Sequence, residues 1–109
     1  MLPKQKRITK DSFKSILLKG ALYHADYFTL RTIPSEKEGF AVSVSKKVAK
    51  GAVDRNRIRR RAYSVIRSLL HQIKSNSMSI LSAKSNAKDI SFGSTREDIE
   101  KLLKKARLI

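Results

Sequence analysis

The strongest periodic pattern in this sequence is an apolar stripe in its second half. Its members recur at the three- and four-residue steps of an α-helix. They are Ile58, Ala62, Val65, Ile66, Leu69, Leu70 and Ile73. The stripe predicts one amphipathic helix over Asp54–Lys74, capped by Asp54 or by a residue just before it. Such a helix must bury its stripe against another layer of structure.

This predicted helix begins inside the densest positive charge of the chain, the segment Ser45–Arg61. Eight of its seventeen residues are Lys or Arg, and only Asp54 is acidic. The whole chain carries a net charge of +16. A compact domain with this charge repels itself, and a polyanionic partner offsets that repulsion. Nucleic acid is therefore the first candidate partner, and an anionic membrane surface is the second.

The remaining patterns predict a small sheet with helices packed on it. The predicted elements are a helix over Lys10–Lys19, strands over Asp26–Ile33, Phe40–Ser45 and Met78–Lys84, and a last helix with Ser94 and Glu97 as its capping box. Thr9 can cap the first helix and Gly20 can end it. The short polar connection between the first two strands predicts an antiparallel hairpin. The order is α-β-β-α-β-α in one α+β domain over 1–109, with a basic tail over 1–8 and room for a short strand over Ala21–His24.

A helical projection separates the arginines of the central helix into two groups. The group opposite the apolar stripe consists of Arg57, Arg60, Arg61 and Arg67. Arg55 and Arg59 fall at the angle of the stripe, but in the first turns. Either their stems pass along the sheet edge to water, or the helix extends past the core and they line a groove with Asn56. A guanidinium group binds phosphate through two parallel hydrogen bonds, so the groove would suit RNA.

The loop before this helix and two phenylalanines are further candidates for RNA contact. Lys46, Lys47 and Lys50 precede a helix N-terminus, where backbone N–H groups favour anions; the alternative is an ordinary solvated charge run. Phe13 and Phe28 are either core residues or a platform on which an unpaired base stacks.

No constellation of catalytic groups is evident in the sequence. The chain has no cysteine, no glycine-rich phosphate loop and no nucleophile motif, and its two histidines are isolated. It also lacks the apolar blocks of a signal peptide or a membrane span. These features predict a soluble cytoplasmic protein, and any reaction would draw its reacting groups from another molecule.

The segment SKKVAKGAVDRNRIRR resembles the signature of the bacterial ribonuclease P protein subunit. Arg55, Asn56 and Arg57 match the Arg-Asn-Arg triplet of that family, and Ser45–Val48 match the segment before it. The resemblance covers nearly the whole chain. Its other matches are Arg7-Ile8, Asp11-Ser12-Phe13, Lys19-Gly20, Ala83-Lys84 and Ile90-Ser91-Phe92.

The resemblance implies an α/β sandwich of the ribosomal protein S5 domain 2-like type, with a left-handed crossover. It also implies assembly with ribonuclease P RNA to remove the 5′ leader of precursor tRNA. The RNA would supply the catalytic groups and Mg²⁺, and the protein alone would bind no cofactor. No membrane or protein partner is implied. The alternative is a stand-alone RNA-binding or ribosome-associated protein without a role in tRNA processing.

Two sets of site residues follow from the resemblance and the helical projection. The RNA-binding set is Lys46, Lys47, Lys50, Arg55, Asn56, Arg57, Arg59, Arg60, Arg61 and Arg67. The leader-cleft set is Phe13, Leu17, Phe28, Val42, Ser43 and Tyr63. The chain departs from the family at four positions: Leu17 replaces a usual aromatic residue, Tyr63 a basic residue and Arg61 an apolar one, and Gly51 stands where other residues are common.

Overall fold

The computed structural model of the protein describes residues 10–109, so the predicted tail and the Thr9 cap lie outside the described residues. Seven elements follow in order: α1 (Lys10–Lys19), β1 (Ala21–His24), β2 (Phe28–Pro34), β3 (Gly39–Ser43), α2 (Ala52–Leu69), β4 (Ser77–Ala83) and α3 (Phe92–Lys105). Short 3-10 turns lie at Leu70–Gln72 and Ser85–Ala87. This order confirms the predicted α+β arrangement and its additional short strand.

The predicted hairpin between β2 and β3 is wrong. The four strands lie in the order β1-β2-β4-β3. β4 is antiparallel to β2 and parallel to β3, with Leu81 opposite both Leu30 and Val42. The short connection from β2 to β3 therefore links two strands that are not neighbours, because β4 lies between them. After β3 the chain passes through α2 and then returns to the sheet as β4.

β4 can occupy the middle of the sheet because its serines find partners there. Ser79 Oγ is buried and donates a hydrogen bond to Thr32 Oγ1 at 2.8 Å. Ser77 Oγ lies 3.2 Å from Ser79 Oγ, within the same chain of hydroxyls. A buried hydroxyl with a partner avoids most of its desolvation penalty. β4 is therefore central in the sheet although it contains Ser77, Ser79 and Ser82.

The two faces of the sheet have different coverings. The main core lies between one face and helices α2 and α3, and includes Phe28, Leu30 and Val42 with the apolar stripe of α2. α1 covers part of the other face, where Ile16 and Ile80 are both buried. Side chains alternate along a strand, so each strand contributes to both faces.

Gly20 ends α1, as predicted, because its surroundings leave no room for a side chain. Its N–H donates to Ile16 O at 2.8 Å. A Cβ atom at this position would lie 2.5 Å from that oxygen and 2.7 Å from Arg31 Cγ. The glycine therefore lets α1 turn closely onto the sheet.

The starts of the other two helices differ from the prediction. Gly51, rather than Asp54, is the N-cap of α2, and no side chain caps this end. Gly51 has φ −81° and ψ 139°, an extended conformation open to any residue. At α3 the cap is Ser91, whose Oγ accepts a hydrogen bond from Ser94 N at 3.1 Å. The predicted capping box at Ser94 is therefore wrong, and α3 begins at Phe92.

One buried carboxylate ties α3 to the connection between β1 and β2. Asp98 is only 4% exposed and accepts three backbone hydrogen bonds. The donors are the N–H groups of Asp26, Tyr27 and Phe28, at 2.9–3.0 Å from its oxygens. In the sequence Asp98 is one of several acids near the start of the last helix. Its partners are about 70 residues away in the chain, so only the fold could show this role.

Candidate nucleic-acid interface

The basic loop before α2 has a buried base and an exposed cationic surface. Val48 and Ala49 are buried, and their N–H groups donate to Ser45 O at 3.1 and 3.4 Å. The lysines on either side, Lys46, Lys47 and Lys50, are exposed. The apolar pair therefore anchors the loop and leaves the lysine side chains at the surface.

Arg55 holds this loop against the first turn of α2. Its Nη1 donates to Ala49 O at 2.9 Å and to Lys50 O at 2.6 Å. The side chain is half-buried. The sequence leaves two alternatives for Arg55, a stem passing along the sheet edge and a place in a groove. The structure shows instead an arginine that fixes the conformation of the lysine loop.

One side of α2 forms a groove of ≈ 690 Å³. We call it the α2 groove, and its lining residues are Val53, Asn56, Arg59, Arg60, Tyr63 and Arg67. Of the three residues predicted to line a groove, Arg59 and Asn56 line this one and Arg55 does not. Arg59 donates a hydrogen bond to Asn56 Oδ1. Arg60 and Arg67, which the projection placed on the outward face, are exposed and line the same groove.

Tyr63 joins the α2 groove to the open edge of the sheet. Its hydroxyl accepts a hydrogen bond from Val42 N at 3.1 Å. β3 pairs with β4 on one side only, so its other edge exposes unpaired backbone groups. Tyr63 satisfies one of these groups and fixes the distance between α2 and β3.

The side of α2 that faces α3, which we call the α3 flank, holds two arginines in contacts with the protein. Arg57 forms an ion pair with Asp54 at 3.3 Å. Arg61 Nη1 donates to Ile90 O, just before α3, at 3.1 Å. Both side chains are half-buried. The projection placed these arginines on one outward surface with Arg60 and Arg67, and the structure places them on a different flank.

The leader-cleft set does not line a single surface. Phe28 is 0% exposed and Val42 is buried, both in the core beneath α2 and α3. Ser43 follows Val42 in the strand and therefore faces the opposite side of the sheet, the side of α1. Tyr63 lies in the α2 groove. The expected cleft residues are thus divided among the core, the side of the sheet that α1 partly covers, which we call the α1 face, and the α2 groove. Phe28 has no exposed ring on which a base could stack.

The α1 face retains the other members of the leader-cleft set. Phe13 is half-buried and Leu17 is 45% exposed. Arg31, on the same face of the sheet, donates from Nη1 to Leu17 O at 3.1 Å. Sequence reasoning missed Arg31, which strand alternation places on the face opposite Phe28 and Leu30. An aromatic ring, an exposed leucine and a cation therefore lie together on or beside α1.

Two further features of the described part of the chain bear on function. Within residues 10–109, no helix is both long and apolar enough to cross a bilayer. In the same residues, no group of three His, Asp or Glu side chains is arranged to hold a metal ion.

Comparison with known proteins connects this interface to a family. The model of the Ribonuclease P family matches residues 2–107. The chain belongs to this family. Among curated relatives, the ribonuclease P protein component of Shouchella clausii is 31% identical over 112 residues, covering 99% of this chain and 91% of the relative. That of Pseudanabaena sp. is 29% identical over 113 residues, covering 100% and 97%.

Solved ribonuclease P proteins share the fold. The Staphylococcus aureus RNase P protein superposes with a TM-score of 0.86 at 28% identity, over 96% of this chain and 98% of that one. The Thermotoga maritima RNase P protein has a TM-score of 0.83 at 19% identity, over 91% and 96%, a likeness of fold alone. The S5 domain 2-like sandwich is thus confirmed. The function is that of the ribonuclease P protein component in tRNA processing.

Proposed function

We propose that this ribonuclease P protein attaches to ribonuclease P RNA through α2 and the lysine loop, and to the precursor tRNA leader through the α1 face. The observation that carries the proposal is the exposed cationic strip from Lys46, Lys47 and Lys50 to Arg60 and Arg67. It adjoins an N-terminus of α2 that no side chain caps. Backbone N–H groups at such an end favour phosphate, and the surrounding cations add to that attraction.

Within this strip the residues of the family triplet have separate roles. Arg55 holds the loop, so its effect on RNA binding is indirect, through the position of the lysines. Asn56 and Arg59 line the α2 groove together. Arg57 is paired with Asp54 and must exchange this surface ion pair for a phosphate, which costs little because exposed pairs are weak.

The α1 face supports binding of a single strand. Unpaired nucleotides are held by aromatic stacking and by cations that follow the backbone. Phe13 and Arg31 supply these two kinds of contact, while Leu17 offers apolar surface and Ser43 a hydroxyl at the uncovered part of the sheet. Leu17 in place of an aromatic residue leaves one ring instead of two for stacking.

We assign the chemistry of leader removal to the RNA subunit, together with its Mg²⁺. The carboxylates and histidines of residues 10–109 form no cluster that fits a metal ion. The protein would then contribute binding and orientation. The proposed compartment is the cytoplasm, where precursor tRNA is made in bacteria.

Reconstitution tests the principal assignment. The protein is added to a bacterial ribonuclease P RNA at low Mg²⁺, and cleavage of precursor tRNA is measured. We expect stimulation that Arg60→Ala reduces and that the matched surface change Lys37→Ala leaves intact. Binding to arbitrary RNA without stimulation would favour the stand-alone RNA-binding alternative.

A second experiment tests the leader assignment. Affinity of the holoenzyme is measured for precursor tRNA and for mature tRNA. Ser43→Glu places a negative charge on the α1 face, so we expect weaker binding of the precursor and unchanged binding of mature tRNA. Glu97, on α3, provides the control: Glu97→Gln should alter neither. Equal losses for both tRNAs with Ser43→Glu would contradict the assignment.

A further inference from the structure

The α2 groove contains an aromatic residue between two exposed cations. Arg60, Tyr63 and Arg67 are three and four residues apart, so they lie on one side of the helix. Seven residues of α-helix rise about 10 Å, which separates the two guanidinium stems along the groove. Val53, 79% exposed, adds apolar surface at the start of the groove. An extended ligand lying along α2 would contact the guanidinium group of Arg60, then the ring of Tyr63 and then the guanidinium group of Arg67.

The hydrogen bond of Tyr63 makes its ring a fixed part of the groove. Its hydroxyl accepts from Val42 N, at the end of the side chain farthest from α2. With its base on the helix and its tip on β3, the ring is held at both ends. Among the described residues, the hydroxyl hydrogen has no acceptor, so a ligand in the groove can accept from it. A ring fixed before binding loses little conformational entropy when a ligand packs on it.

The positive charges around the Tyr63 ring favour an anionic ligand. Arg59, Arg60 and Arg67 line the groove, and its lining includes no carboxylate. Phosphate suits the planar guanidinium fork, and a nucleobase suits the phenol ring. In a duplex the faces of the bases are stacked on one another, so only an unpaired nucleotide can present a base to Tyr63.

We infer that the α2 groove holds an unpaired RNA nucleotide, with its base stacked on Tyr63 and the flanking phosphates on Arg60 and Arg67. This inference rests on the proposed function for the identity of the ligand as RNA. It adds a single-strand site on α2 that is separate from the α1 face. Tyr63 thereby gives the α2 groove a preference for an exposed base, whereas a cation at the same place would bind phosphate alone.

Binding of two synthetic RNAs tests the inference. One is a uridine hexamer, and the other is the same hexamer with one abasic ribose. Crosslinking of a 4-thiouridine hexamer, mapped by mass spectrometry, identifies which face holds the strand. We expect a crosslink to the peptide that contains Tyr63. The control Lys37→Ala, at an exposed position in the connection between β2 and β3, should leave that crosslink unchanged.

Variants of Tyr63 separate the ring from the hydroxyl. For the wild-type groove we expect the abasic RNA to bind about tenfold more weakly, the effect of losing one stacked base. Tyr63→Phe should keep most of this discrimination, and Tyr63→Ala should abolish it. Circular dichroism and thermal melting verify the fold of each variant. If Tyr63→Ala does not fold, the wild-type crosslink and Tyr63→Phe decide the question.

Three results would overturn the inference: no crosslink at Tyr63, equal binding of both RNAs by the wild type, or loss of discrimination in folded Tyr63→Phe. The reconstitution assay keeps this test separate from the proposed function. A wild-type protein that stimulates cleavage but shows no stacking at Tyr63 refutes the inference alone. One that crosslinks and discriminates as expected without stimulating cleavage refutes the ribonuclease P assignment and leaves the groove site standing.

Discussion

Both flanks of α2 carry arginines, but those in the α2 groove are exposed and those on the α3 flank contact other groups of the protein. In the α2 groove, Arg60 and Arg67 are exposed and line an open surface. On the α3 flank, Arg61 donates to Ile90 O and Arg57 pairs with Asp54. All four arginines lie on the polar side of one amphipathic helix. Their neighbours decide whether each one is available to RNA or is engaged by the protein.

The resemblance noted in the sequence implies a departure from the family at one position on each flank. It implies an apolar residue where this chain has Arg61, whose guanidinium donates a hydrogen bond to Ile90 O before α3. It implies a basic residue where this chain has Tyr63, whose hydroxyl accepts a hydrogen bond from the edge of β3.

The largest expected effect concerns Asp98, the buried carboxylate that ties α3 to the connection between β1 and β2. Asp98→Asn keeps the size of the side chain but replaces one acceptor oxygen with a donor group facing backbone N–H groups. We expect a loss of about 3 kcal/mol in the free energy of unfolding, because buried N–H groups lose a charged acceptor. Urea denaturation measures it, with the exposed Asp89→Asn as control. A loss below about 1 kcal/mol would contradict this anchoring role.

Next in size is the effect of removing the cations of the groove. Arg60→Ala with Arg67→Ala should weaken single-stranded RNA binding by about 10- to 100-fold and reduce the magnitude of the salt slope by about 1.4, because two phosphate contacts are lost. Stability should change by less than about 0.5 kcal/mol, as expected for exposed positions. The double control Lys37→Ala with Lys88→Ala removes the same charge elsewhere. Equal losses of affinity in both pairs would show that only total charge matters.

Arg61→Ala should reduce stability more, and RNA affinity less, than Arg60→Ala. We expect a loss of about 1 kcal/mol in stability, because the half-buried Ile90 carbonyl loses a charged donor. RNA affinity should fall less than in Arg60→Ala. Thermal denaturation and RNA titration on the same preparations compare the two variants. A larger loss of affinity in Arg61→Ala would place RNA on the α3 flank.

The smallest expected effect comes from releasing Arg57. Asp54→Asn removes its ion-pair partner and a carboxylate from the first turn of α2. Stability should fall by about 0.5 kcal/mol, because an acid near a helix N-terminus is favourable. RNA affinity should rise about threefold as Arg57 becomes available and one repulsive charge disappears. Unchanged affinity in RNA titrations would mean that Arg57 does not reach RNA.

Local signals determined much of this protein. The apolar stripe from Ile58 to Leu69 and the stop at Gly20 are properties of neighbouring residues, and both were confirmed. The predicted end of the helix at Lys74 is wrong, because α2 ends at Leu69 and a 3-10 turn follows. The triplet Arg55–Arg57 and its preceding segment sufficed to indicate the family, which the comparison confirmed. The cationic character of the loop and α2 follows from composition alone.

Only the tertiary structure decided which side chains share a surface. The insertion of β4 between β2 and β3 is a long-range pairing, and the hydroxyl partner of its Ser79, Thr32, lies far away in the chain. Strand alternation separated Val42 from Ser43, so the expected leader-cleft set was divided. A helical projection gives the direction of Arg60 or Arg61 around the helix axis, but it does not show which other parts of the protein lie in that direction. The edge of β3 and the start of α3 supplied those neighbours, since packing between distant segments sets the environment of each arginine.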